Sequence, residues 1–181
     1  PRIHSGTVLN HYSINARSFI TGRVFKFRDM LVNVVNSNSR PCWIQLINVE
    51  QQLVIRDMEA CAKWINATCV GGSYHHRSSS SSSSGGGGSS SSSSGSQQRD
   101  MYIYCCTQDL TIHRYHMDQF VNDWTVKVDH EPKSIAWSYE HQLLCCGLKN
   151  GIVNCYDVRQ STKPIMTLDT KSSCVSALME H

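Results

Sequence analysis

The sequence holds no run of about 20 apolar residues, so nothing in it reads as a membrane-spanning helix, and no secretory leader is visible. Neither charge dominates: 17 Lys and Arg against 14 Asp and Glu leave a net charge of +3. The basic residues are scattered and not interleaved with aromatics, so no nucleic-acid surface is expected. None of the nine cysteines belongs to a CxxC pair, which argues against a structural zinc site. Most of them sit inside apolar segments, where cysteine behaves as a small buried hydrophobe. That usage suits a reducing interior, and cytoplasm or nucleus is the expected location. The chain starts at Pro1 rather than a methionine, so it is expected to be a piece of a longer protein.

Helical periodicity is also missing, and no amphipathic helix of three turns can be drawn. What the sequence has instead is a series of short runs rich in Val, Ile, Tyr and Cys, bounded by turn residues. This predicts an all-β fold of many short strands. Residues 78–96 read SSSSSSSGGGGSSSSSSGS. Such a tract offers no apolar surface to offset its ordering entropy and is expected to be disordered.

Repetition organises the strands. Residues 134–138 (SIAWS), 142–148 (QLLCCGL), 152–158 (IVNCYDV) and 164–170 (PIMTLDT) form one set of four, and 174–178 (CVSAL) resembles its first member again. The segments 101–107, 111–117 and 124–129 repeat the last three members, which places Tyr115 and Tyr156 in equivalent positions 41 residues apart. Residues 62–70 (AKWINATCV) supply a first strand. Trp64 and Trp137 lie 73 residues apart, and setting aside residues 71–99 reduces this to 44. The serine tract is therefore read as a loop inserted between the first and second strands of one unit. A weaker copy is drawn over 31–35, 42–49 and 52–58, while residues 1–30 are left unassigned.

A four-stranded repeat of about 40–45 residues is the signature of a β-propeller, whose small sheets must stack radially to cover one another. The expectation is a partial propeller of antiparallel blades, about three of them, over residues 31–181. Lys149-Asn150-Gly151 reads as a hairpin turn, because Asn and Gly tolerate positive φ. The motif residues resemble the WD-repeat family: Asp129-His130 stands where that family has Gly-His, and Tyr156-Asp157 where it has Trp-Asp. The resemblance implies a buried hydrogen-bond network joining the His, an acid in the central turn and the Trp. Here His130 is present, Asn150 replaces the acid and Tyr156 the Trp.

The run Tyr156-Asp157-Val158-Arg159 has two readings. In one, Asp157 caps a turn at the end of a strand and Arg159 is solvated. In the other, it is similar to the aromatic-Asp-x-Arg box of WD-repeat substrate receptors of cullin–RING ubiquitin ligases, whose arginine helps dock the ligase's adaptor. The wider string of residues 147–151 (GLKNG), 156–159 (YDVR) and 174–178 (CVSAL) also resembles the propeller of a RING-finger and WD-repeat ubiquitin ligase, although no RING spacing occurs here. Either resemblance implies a protein-interaction scaffold, with an adaptor and a substrate as partners. The alternative is a scaffold unrelated to ubiquitin that binds through the propeller face.

No cofactor, metal or small-molecule substrate is expected, and no catalytic motif is present. His113 and His116 differ by an odd number along a strand, so they point to opposite faces and cannot grip one metal together. His75-His76-Arg77 reads as solvated loop, and the Asn66-Ala67-Thr68 sequon as a chance match.

Overall fold

A computed structural model describes residues 24–27, 30–36, 41–48, 50–51, 53–61, 63–73 and 100–178. The serine tract and His75-His76-Arg77 lie outside the described residues. Twelve strands form three four-stranded antiparallel sheets, and no helix occurs among the described residues.

The first sheet is β1 (Val24–Phe27), β2 (Met30–Val35), β3 (Cys42–Asn48) and β4 (Leu53–Cys61). The second is β5 (Ile65–Ser73), β6 (Asp100–Thr107), β7 (Thr111–His116) and β8 (Asn122–Lys127). The third is β9 (Pro132–Ser138), β10 (Leu143–Leu148), β11 (Ile152–Tyr156) and β12 (Met166–Asp169). In each sheet the strands follow one another in chain order.

Each sheet is covered by its neighbour, and two separate cores result. Val32, Ile44 and Leu46 of the first blade meet Ile103, Cys105 and Tyr115 of the second. Tyr104, Ile112 and Val126 of the second meet Trp137, Leu144 and Tyr156 of the third. The second blade is therefore buried on both faces, which is why β6 reads as a nearly continuous apolar run. These are stacked paddles, and the fold is that of a partial WD40-type propeller.

Hydrogen bonds fix the repeat register more sharply than sequence similarity does. Gln108 N donates to Trp64 O and Lys149 N to Glu131 O, each at 2.9 Å, so Trp64 is the counterpart of Glu131 and not of Trp137. The offset is 67 residues, and omitting the 26 between Ser73 and Asp100 leaves 41, the spacing of Tyr115 and Tyr156. By that register Val70 is the counterpart of Trp137. Gly71, Gly72 and Ser73 belong to β5, so the insertion starts after Ser73. The serine tract joins two strands that pair directly, β5 and β6.

Other boundaries shift as well. β1 lies within the stretch left unassigned by sequence. β11 ends at Tyr156, leaving Asp157 and Val158 outside the strand. Residues 174–178 form no strand, yet Val175 N donates to Leu148 O at 3.1 Å and Val175 O accepts from Ser134 Oγ at 2.9 Å.

Candidate functional site

The 156–161 segment leaves the third blade as a tight turn held from three sides. Tyr156 is buried in the core between the second and third blades, with its ring edge-on to Trp124 at 6.1 Å. Asp157 O accepts from Gln160 N at 3.1 Å and Ser161 N at 3.2 Å, which closes the turn. Val158 is buried, and its carbonyl accepts from Arg114 Nη1 of β7 at 3.4 Å.

Asp157 and Arg159 form one unit inside this turn. Arg159 Nε donates to Asp157 Oδ1 at 2.8 Å and Nη2 to Oδ2 at 2.9 Å, a bidentate fork on a carboxylate. The Arg159 backbone N–H adds a third bond to Oδ1 at 3.1 Å. The partners differ in exposure: the Asp157 side chain is 7% exposed and that of Arg159 is 51% exposed. The buried acid caps the turn and orients a guanidinium that remains half open to solvent. Thus one arrangement satisfies the capping reading and still presents the arginine.

Hydrogen bonds from Arg159 hold the Asp157 carboxyl below the usual carboxylate range, against the opposing pull of burial. The folded carboxyl therefore ionises at lower pH than the unfolded one. Its stabilising contribution is complete above the unfolded value, about 3.9, and is lost as the pH falls through the lowered folded value. We expect Asp157→Asn to cost about 1–2 kcal/mol at neutral pH. In denaturant titrations the gap to wild type should shrink as the pH drops below about 4. A gap that stays constant into acid would show that ionisation of Asp157 has no part in it.

The other motif residues do not converge. His130 and Asn150 are exposed, and Asn150 Oδ1 accepts from Ile152 N at 3.3 Å. The Tyr156 hydroxyl accepts from Asn154 Nδ2 at 3.3 Å. Among the described residues no hydrogen bond joins His130, Asn150 and Tyr156. Gly151 is buried at φ +83°. Tyr115 is buried between the first and second blades and donates its hydroxyl proton to Ala60 O.

The acid that Asn150 replaces is present in the second blade as Asp109. It accepts from Thr107 Oγ1 and, at 2.7 Å, from Thr111 Oγ1. Thr111 Oγ1 in turn lies 2.9 Å from His113 Nε2. His116 packs edge-on against Tyr102 at 5.2 Å, on the opposite face of the sheet from His113. Among the described residues no three His, Cys, Asp or Glu side chains are grouped to hold a metal ion.

Sequence reading missed the arginines that clasp the next blade. Arg114 forks onto Asp123 at 2.7 and 2.9 Å, lies 4.6 Å over the Tyr102 ring and reaches Val158 O. Arg56 of β4 does the same one blade earlier, donating to Asp118 O at 2.7 Å with Phe120 5.3 Å beneath it. Asp118 is the counterpart of Arg159 in the 41-residue register, so both clasps hold the turn after the third strand. A charged residue in the middle of an apolar strand, as in TIHRYHM, was the available signal.

Against known families, the one described as "Anaphase-promoting complex subunit 4 WD40 domain" matches residues 96–179, a stretch that includes β6 to β12. No curated protein matches the chain. The match and the stacked four-stranded sheets together support a place among WD-repeat propellers.

Proposed function

We propose that this propeller segment is a protein-interaction scaffold in a ubiquitin ligase assembly, and that the 157–159 turn touches the ligase's adaptor. The observation that carries the proposal is the presentation of Arg159. Its guanidinium is oriented by the buried Asp157 carboxylate while half its side chain stays open. The turn around it is anchored to the second blade through Val158. An arginine held in this way loses little further rotamer freedom on binding, and its planar charged fork suits a carboxylate or carbonyl on a partner. The matched family takes its description from a subunit of a multi-protein complex, a role of the same kind.

A second reading is a scaffold unrelated to ubiquitin, with partners on another face. It is favoured by the closure of the Arg159 fork on its own neighbour, which already uses Nε and Nη2. Arg159→Ala separates the two. The variant should fold at a cost of about 1–3 kcal/mol, because the buried Asp157 carboxylate loses the guanidinium fork and keeps the residue 159 backbone N–H. If the turn docks the adaptor, recovery of a cullin–RING adaptor in a pull-down from cells should fall about tenfold, equivalent to about 1.4 kcal/mol. Undiminished recovery favours the second reading.

A further inference from the structure

Cys145 and Cys155 stand directly opposite one another on β10 and β11. Their sulfurs are 3.2 Å apart. The backbone carbonyl of Cys155 accepts from Ile165 N at 2.8 Å on the β12 side, so it faces away from β10. The two cysteines are therefore a non-hydrogen-bonded pair, the closer of the two antiparallel arrangements, with Cα atoms about 4.5 Å apart. That separation lies at the short end of the range a disulfide can span, where the bond is strained and readily reduced.

Their surroundings favour this pair over the other cysteines. Cys145 and Cys155 point to the face of the third blade turned away from the second, in one row with Ala136 and Met166. Cys146 points the other way into the core between the blades and is fully buried. Cys145 is partly exposed, whereas Cys155 is buried. Bond formation needs the sulfurs to close from 3.2 Å to about 2.05 Å, beside the small side chain of Ala136.

We propose that Cys145 and Cys155 form a reversible cross-strand disulfide, a redox modification site that responds to hydroperoxides. In the first step a thiolate of the pair attacks a peroxide oxygen. The S–O bond forms, the O–O bond breaks, and hydroxide leaves and takes up a proton, so the cysteine becomes a sulfenic acid. The second cysteine then attacks the sulfenic sulfur, the S–S bond forms, and water departs with the thiol's proton. Overall two thiols are oxidised and one peroxide is reduced to two waters.

The hydrogen bond within the pair lowers the Cys155 thiol and favours its thiolate. Burial pushes Cys69, Cys105 and Cys146 well up, away from reactivity.

The test uses the intact protein treated with hydrogen peroxide, alkylated, and digested with trypsin without reductant. Lys133, Lys149 and Arg159 place the two cysteines on different peptides, 134–149 and 150–159. A linked pair lighter by two hydrogens and released by dithiothreitol is expected. The link should persist in Cys146→Ser and vanish in Cys145→Ser. Recovery of the two wild-type peptides unlinked after peroxide treatment overturns the proposal, as does a link that survives in Cys145→Ser. The wild-type digest decides alone if a variant fails to fold.

Discussion

Gly151→Ala is expected to remove about 2–5 kcal/mol of folding stability. Two costs combine. Gly151 sits at φ +83°, where an L side chain costs about 1–2 kcal/mol. In addition, a Cβ there would lie 1.8 Å from the Ser172 carbonyl oxygen, a backbone atom that cannot swing aside. Forcing such an overlap adds about 1–3 kcal/mol.

The site is also bound on every side. Gly151 N donates to Leu148 O at 3.2 Å, and Gly151 O accepts from both Thr170 N and Thr170 Oγ1. Moving Ser172 therefore pulls on the end of β12 and on the segment that reaches Val175. The second blade provides the control. Leu110 is the 41-residue counterpart of Gly151 and stands at φ 65°, so a side chain is tolerated in this conformation when no carbonyl overlies it. Denaturant midpoints of wild type and Gly151→Ala give the number. A loss under about 1 kcal/mol, less than the combined conformational and overlap costs, would mean the 170–172 segment yields freely.

The same turn illustrates what could be read from the sequence. The hairpin between β10 and β11 was legible in Asn150-Gly151, but only Gly151 takes positive φ, and the loop is the three-residue kind with glycine in the left-handed position. Strand identity was legible because alternation and apolar runs are local properties. The 41-residue spacing was legible because Tyr115 and Tyr156 keep their places in it.

Trp64 misled because an Ala-x-Trp string resembles Ala136-Trp137, whereas register is set by partners: Trp64 O meets Gln108, as Glu131 O meets Lys149. β1 escaped notice because its strand character depends on pairing with β2. At the candidate site, Asp-x-Arg announced a local turn, and the fork between Asp157 and Arg159 spans only two residues. The anchor from Arg114 to Val158 crosses 44 residues and two sheets, so no local pattern carries it. The opposition of Cys145 and Cys155 likewise becomes visible only once the register of β10 on β11 is known.

Trp137→Ala carries the other large expected effect, about 3–5 kcal/mol. Trp137 is 4% exposed and stacks on Tyr104 with ring centroids 5.2 Å apart and planes within 11°. Gly71 of β5 also faces the Trp137 ring, and a Cβ on it would come 2.4 Å from that ring. The ring thus fills the gap between the second and third blades, and removing it leaves a void that strand backbones cannot collapse to fill. Its indole N–H, however, is buried with no partner among the described residues, so the nitrogen adds nothing and carries a desolvation cost. Trp137→Phe keeps an aromatic face on Tyr104 and discards that group, so it should cost under about 1.5 kcal/mol. Gly71→Ala tests the same contact from the other strand. In wild type it should destabilise by about 1–3 kcal/mol through overlap with the ring. In the Trp137→Ala background the space is open, and the added methyl should cost nothing or restore part of the loss. The double-mutant cycle should therefore show a coupling of about 1–3 kcal/mol. Additive effects of Gly71→Ala and Trp137→Ala would show that the two blades do not meet through this ring.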